Sequence, residues 1–197
     1  MKILVAVPTF ENICPETFKS IYDLHTGGHE VNFDFVKGYT CDMARNKIAD
    51  KAIEGGYDYV LMIDSDITVP EDTIERFLDS PVDICFGVCP RKNTKDGKTA
   101  IAKVGQTGFH DMYTMTEIKN SPLSRIEIKG AGAACAFIKT SVFKKLEYPW
   151  FQYVSYKGRS FLSEDFYFCN SAIKAGYVMW ADARVKCGHL VRGFQYE

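Results

Sequence analysis

The chain has 197 residues, a single-domain length that suffices to bury a substantial core. Hydrophobic residues make up 46% and charged residues 25%, and 24 Lys plus Arg against 25 Asp plus Glu leave a net charge of −1. This balance excludes a broadly polycationic nucleic-acid binder, and no apolar run reaches the length of a membrane span or a signal-peptide core.

Residues 3–7 form a short, wholly apolar run ended by Pro8, which predicts a buried strand. A helix is expected over residues 15–24, closed by Thr26-Gly27-Gly28. Residues 31–36 alternate apolar side chains with Asn32 and Asp34 and stop before Gly38, a second strand. In residues 41–54, Ala44, Ile48 and Ala52 recur every four positions and Gly55-Gly56 follows, which predicts a helix. Residues 57–63 read as a third strand. Pro70-Glu71-Asp72 opens another helix with Pro in its first turn, and Ile74, Phe77 and Leu78 form its apolar stripe. Residues 82–88 are a fourth strand. The βαβαβαβ succession predicts an α/β fold, a parallel doubly wound sheet with helices on both faces.

The second half follows another pattern. Residues 91–98 are polar and read as a mobile loop, with Arg91, Lys92, Lys95 and Lys98 as a basic run. Short strands are expected at residues 100–104, 112–118 and 125–129, then at 133–139, followed by a short helix with Phe143 and Leu146. Residues 164–175 are helical up to Gly176, and 177–181 are a late strand. No repeat or linker divides the chain, so residues 1–197 are expected to form one domain with two functional halves, 1–90 and 91–197. The seven cysteines are an odd number, and Cys85, Cys135 and Cys169 lie in apolar stretches. Cys85 and Cys89 lack Cys-x-x-Cys spacing, so the chain reads as cytoplasmic, reduced and free of structural zinc.

Four apolar residues, Val60-Leu61-Met62-Ile63, run straight into Asp64-Ser65-Asp66. Ligands of open α/β sheets gather at the carboxyl ends of strands. Asp64 and Asp66, two apart, share a face while the chain stays extended. Two hard oxygen donors there suit Mn2+ or Mg2+, with substrate phosphates in other coordination positions. Chance alone gives about one Asp-x-Asp in such a chain, so its place at a strand end carries the weight.

Together with three further segments this motif resembles the GT-A fold glycosyltransferases, the family 2 type of nucleotide-sugar transferase in particular. Val5-Ala6-Val7-Pro8-Thr9 resembles the first strand, Ala44-Arg45-Asn46 a helical segment near the donor site, Asp64-Ser65-Asp66 the Asp-x-Asp signature, and Ser163-Glu164-Asp165 the motif carrying the catalytic base. The resemblance spans nearly the whole chain. It implies a Rossmann-like, mostly parallel mixed sheet, with residues 1–90 binding the nucleotide-sugar and 91–197 forming the acceptor side. It also implies that Pro8, Thr9, Arg45, Asp64, Ser65 and Asp66 bind a nucleoside diphosphate sugar, with UDP the usual base. Asp64, Asp66 and the late His189 are the implied metal ligands. Asp165 would take the proton from an acceptor hydroxyl as it attacks the anomeric carbon, with inversion.

Gly130, Ala131, Gly132, Glu164 and Trp150 are assigned to the donor-sugar and acceptor side, Trp150 within an aromatic group of Phe151, Tyr153, Tyr156 and Phe161. The bland alternatives stay open for each residue: a solvated Arg45, a surface His189, a Ser163 that caps the last helix, glycines that only permit a turn, and aromatics that fill the core. The acceptor is a glycan, a protein or a modified nucleic-acid base, a soluble one favoured over a lipid-linked one. Two other functions fit the same residues. A haloacid-dehalogenase-like phosphatase would use Asp64 as nucleophile, and a non-catalytic relative would bind nucleotide-sugars without turnover.

Overall fold

The computed structural model describes residues 1–79, 81–92, 97–105, 109, 111–191 and 194–196, without the side chains of residues 156, 159–161, 191 and 194–196. In chain order the elements are β1 (Lys2–Thr9), α1 (Pro15–Tyr22), β2 (Glu30–Lys37), α2 (Cys41–Glu54), β3 (Tyr59–Ile63), β4 (Ile67–Thr68), α3 (Thr73–Asp79) and β5 (Ile84–Val88). They continue with β6 (Lys98–Ala102), β7 (Met112–Thr114), α4 (Met115–Lys119), β8 (Arg125–Ile128), β9 (Gly130–Ala131), β10 (Cys135–Lys139) and α5 (Thr140–Lys145). The last are β11 (Val154–Tyr156), β12 (Arg159–Leu162), α6 (Glu164–Lys174), β13 (Met179–Lys186), β14 (Gly188–Val191) and β15 (Phe194–Tyr196).

A seven-stranded sheet runs in the order β2-β1-β3-β10-β5-β13-β8. β1 pairs in parallel with β2 and β3, and β5 with β13, whereas β10 is antiparallel to both β3 and β5 and β8 is antiparallel to β13. The sheet is therefore mixed but mostly parallel. β3 and β5 are not neighbours, because β10 lies between them, antiparallel to both. Its first four residues are buried, as a central strand requires, but apolarity carries no information on strand direction.

Alternation along the strands feeds two cores. Leu4, Val60, Met62 and Phe86 meet Ile48 of α2, Phe143 of α5 and Phe168 of α6. Val5, Leu61, Ile63 and Cys85 face the other way, toward Ile21 of α1 and Ile74 and Phe77 of α3. Across that second core Phe137 stacks on Tyr59 (centroids 4.6 Å apart) and on Phe77 (5.1 Å). The column ties β3, β10 and α3 together, each pair contributing about 0.5–1.5 kcal/mol beyond its buried area.

Several element boundaries differ from the sequence reading, three of them with a visible cause. α3 begins at Thr73 because the Pro70 carbonyl accepts from Thr73 N (3.2 Å) and Thr73 Oγ1 (2.6 Å), so Pro70 belongs to the turn before it. Residues 112–118 are not one strand: Thr114 and Glu117 form a reciprocal capping box that ends β7 and starts α4. β13 runs on to Lys186 through a bulge that carries its pairing from Asp182 with Gly87 to Lys186 with Val88. All seven cysteines are free thiols. Among the described residues no helix is long and apolar enough to cross a membrane.

Candidate active site

β1 and β3 run parallel and end at one edge of the sheet. A cavity of about 230 Å³ opens there, lined by Pro8, Thr9, Ser65 and both carboxylates, Asp64 and Asp66. Its remaining walls are Ala44, from the Ala44-Arg45-Asn46 segment, and Phe10, Tyr39 and Cys41, which the motif reading did not single out. Phe10 is 67% exposed and Tyr39 37%. An aromatic directly after a strand-ending Pro-Thr was the available signal for Phe10, since a core residue is not expected in that turn.

The Ala44-Arg45-Asn46 segment has a different job for each residue. Ala44 is buried and lines the cavity. Asn46 acts like a piece of strand toward residues 150–151: its Oδ1 accepts from Trp150 N (3.0 Å) and Phe151 N (3.1 Å), and its Nδ2 donates to Phe151 O (2.7 Å). Arg45 does not line the cavity and is not a solvated helix-face residue. It is 2% exposed, with Nη2 donating to Asp64 Oδ1 (2.7 Å) and Nη1 to Glu164 Oε1 and to Cys41 Sγ (2.6 Å). Burial alone favours a neutral guanidine, but Asp64, Cys41, Glu164 and Asp165 together hold the Arg45 pKa above its ordinary value.

The same enclosure shapes the neighbouring acids. Burial pushes the Asp64 carboxyl up, Arg45 opposes the rise, and the charges of Asp66, Glu164 and Asp165 add to it. The Cys41 thiol is pushed up to about 12, mainly by burial, so it is protonated and inert beside the cavity. Tyr153 is also pushed up, by burial first and then by Glu164. Asp64 thus gives one oxygen, Oδ1, to Arg45 while it lines the cavity together with Asp66.

Asp66 and His189 do meet. β4 and β14 pair as an antiparallel ladder that sets His189 opposite Ile67, and Leu190 N donates to Asp66 O (2.9 Å). His189 Nδ1 lies 2.7 Å from Pro90 O, so it carries the proton, and Nε2 faces Asp66 Oδ1 at 3.6 Å. A carbonyl that fixes the tautomer in this way leaves the second nitrogen as a lone-pair donor. The second Asp66 oxygen is occupied by the Lys92 ammonium. Among the described residues no group of three or more His, Cys, Asp or Glu side chains is gathered as a metal site. Lys95 of the basic run lies outside the described residues.

Asp165 stands in the first turn of α6. Ser163 Oγ does not cap the helix; it donates to Asp165 Oδ1, which also accepts from Phe166 N (2.7 Å). The other oxygen, Oδ2, points at Gly132, where an added Cβ would come within 3.3 Å of it. Gly132 keeps that approach open. Gly130 has another reason to be glycine, since a Cβ there would strike Cys169 Cβ at 2.9 Å, and the Ala131 carbonyl faces the same thiol at 3.6 Å.

Trp150 is not an exposed platform. It is 6% exposed, its Nε1 donates to Phe143 O (2.8 Å), and its ring packs edge-on against Phe143. Phe151 is likewise buried and stacks on Phe168 (4.9 Å). The cause is the Asn46 clamp, which pulls residues 150–151 onto α2. Tyr153 is half-exposed, and the side chains of Tyr156 and Phe161 lie outside the described residues.

No family model matches the sequence, and no curated protein does. Solved structures do match in fold. A197 from STIV superposes with a TM-score of 0.69 at 17% identity, over 97% of this chain and 86% of that one. GalNAc-T7 with UDP, GalNAc and Mn2+ gives 0.58 at 10% identity, over 97% of this chain and 44% of that one. S. aureus TarS in complex with UDP-GlcNAc gives 0.51 at 15% identity, over 92% and 56%. The chain spans about half the length of these last two. The fold of this chain is that of the GT-A nucleotide-sugar glycosyltransferases.

Proposed function

We propose that the chain is a metal-dependent glycosyltransferase that moves a sugar from a UDP-sugar to an acceptor hydroxyl with inversion. The observation that carries this reading is the meeting of His189 with Asp66, which lines the cavity together with Pro8, Thr9, Phe10 and Tyr39. One hard carboxylate and one imidazole with a fixed tautomer fit a divalent cation that takes its other ligands from phosphate and water. Asp66 and His189 would hold that cation, which would offset the charge of the departing diphosphate. We assign Asp64 to Arg45 rather than to the cation, since the guanidinium takes its Oδ1.

Phe10 and Tyr39, exposed aromatics of the cavity wall, would stack on a nucleobase. Asp165 is the base: Ser163 and the Phe166 N–H hold one carboxylate oxygen, and the other accepts the acceptor's proton beside Gly132. Arg45 positions both halves of this machinery, fixing Asp64 on one side and Glu164, next to Asp165, on the other. The acceptor is a glycan, a protein or a modified nucleic-acid base. Seven free cysteines, five of them buried, support a reducing, cytoplasmic setting.

Titration calorimetry with UDP, with Mn2+ and then with chelator, tests the reading. Binding that weakens sharply on chelation is expected, and a panel of UDP-sugars with Mn2+ should show slow hydrolysis of the true donor. Equal UDP affinity with and without metal would remove the cation from the model.

A further inference from the structure

The cavity assigned to the nucleotide has no lysine or arginine among its described lining residues. Arg45, which holds Asp64 of the cavity wall, is sealed between Asp64 and Glu164. A diphosphate brought to this rim would therefore find Lys92, whose ammonium rests on Asp66 Oδ2 while His189 Nε2 faces Oδ1. The three side chains converge from the end of β3, the segment after β5, and β14.

The backbone under Lys92 is anchored rather than loose. Pro90 forms a bridge with Thr99, Arg91 N donates to Lys98 O (3.0 Å), and the Pro90 carbonyl is the group that orients His189. One short stretch thus sets both the imidazole and the ammonium on the same carboxylate. The Lys92 side chain is 40% exposed and that of Asp66 28%. An ion pair so open to water is weak and exchanges readily. Lysine suits exchange, being a point charge on a flexible four-carbon stem.

We propose that Lys92 is a diphosphate-binding residue held in reserve on Asp66. It neutralises that carboxylate while the donor site is empty and swings to the diphosphate once Asp66 and His189 hold a cation. This deepens the donor-site reading and rests on it. Two opposite effects of one substitution follow. Removing the ammonium frees Asp66, so a divalent cation alone binds more tightly. It also takes a cation from the phosphates, so UDP binds more weakly.

The test uses the full chain with Lys92→Met and Lys92→Arg, titrated separately with Mn2+ alone, followed by its EPR signal, and with UDP in the presence of saturating Mn2+. Lys92→Met should bind Mn2+ alone several-fold more tightly and UDP roughly tenfold more weakly, the loss of one charge-assisted contact. Lys92→Arg should restore most of the UDP affinity. Unchanged Mn2+ affinity in Lys92→Met overturns the counter-ion role, and unchanged UDP affinity overturns the diphosphate role. A wild-type chain that binds no UDP at all would overturn the donor-site reading instead, a result distinct from a variant that merely matches wild type.

Discussion

Arg45 and Glu164 stand 119 residues apart in sequence and share an ion pair in which their side chains are 2% and 7% exposed. Through its other amino group the same guanidinium holds Asp64. Replacing it strands two acids, Glu164 where water hardly reaches and Asp64 on the cavity wall with its side chain 29% exposed. Arg45→Met should therefore cost about 3–5 kcal/mol of stability, read as a lower midpoint in urea denaturation. Arg45→Lys should fall between, since one ammonium cannot span two carboxylates as a planar fork does. A midpoint within error of wild type would mean that the cluster contributes nothing to folding.

Asp165→Asn separates chemistry from binding. The amide keeps the carboxylate's shape and still accepts from Phe166 N, so UDP and Mn2+ affinities should stay close to wild type. Transfer should fall roughly 10²–10⁴-fold, the usual contribution of a general base. Full activity in this variant would move the base elsewhere, with Glu164 first to test, or indicate a retaining outcome, and NMR of the product anomer decides between those.

The two aspartates should behave differently. Asp66→Asn and His189→Ala are expected to weaken Mn2+ and UDP binding together without unfolding the chain. Asp64→Asn should leave Mn2+ affinity nearly unchanged and lower stability instead, because its partner is Arg45. Calorimetry and denaturation on the three variants check this, and equal loss of Mn2+ affinity in all three would make Asp64 a ligand after all.

Phe10→Ala should weaken UDP binding by about 10-fold, the scale of one lost base–aromatic contact of roughly 1–3 kcal/mol. Tyr39→Ala should do the same more mildly, as Tyr39 also carries Lys47 on its ring at 4.6 Å. Inorganic diphosphate, which has no base, should bind both variants as it binds wild type.

The Glu117 carboxyl is held down to about 2 by Lys103 and then by the Thr114 backbone N–H and hydroxyl. A lowered carboxyl stabilises the fold when ionised. Its contribution is complete above the ordinary value of 4.5 and disappears as pH falls from there through about 2. The side chain is 45% exposed, so after solvent screening this amounts to less than about 1 kcal/mol. NMR titration should give Glu117 a midpoint near 2 and show α4 amides exchanging faster below it. A midpoint at 4.5 would mean that the capping box does not form in solution.

What the sequence discloses here is what depends on near neighbours. The periodicity of α2, its Gly55-Gly56 end and the apolar run of β3 into Asp64 are local, and the structure has them where the pattern puts them. Arg45 could not be read that way. Flanked by Ala44 and Asn46 on a helix, it looks like a surface residue until Asp64 and Glu164 arrive from distant segments. Trp150 is the opposite case, an aromatic that could as well stack on a sugar, and only the Asn46 clamp assigns it to the core. Lys92 was visible solely as part of a basic run, because its partner lies 26 residues away on another strand end.

The place of β10 also bears on how the chain reaches this state. The fully buried strands β3 and β5 meet nowhere directly; each is completed only when residues 135–139 slide between them. Until then both present bare, apolar edges of the kind that recruits other chains. Such non-local pairing makes for slow folding, since a long loop must close before any contact rewards it. During synthesis the amino-terminal strands therefore emerge well before the strand that joins them, and that interval is when the nascent protein is most exposed to aggregation.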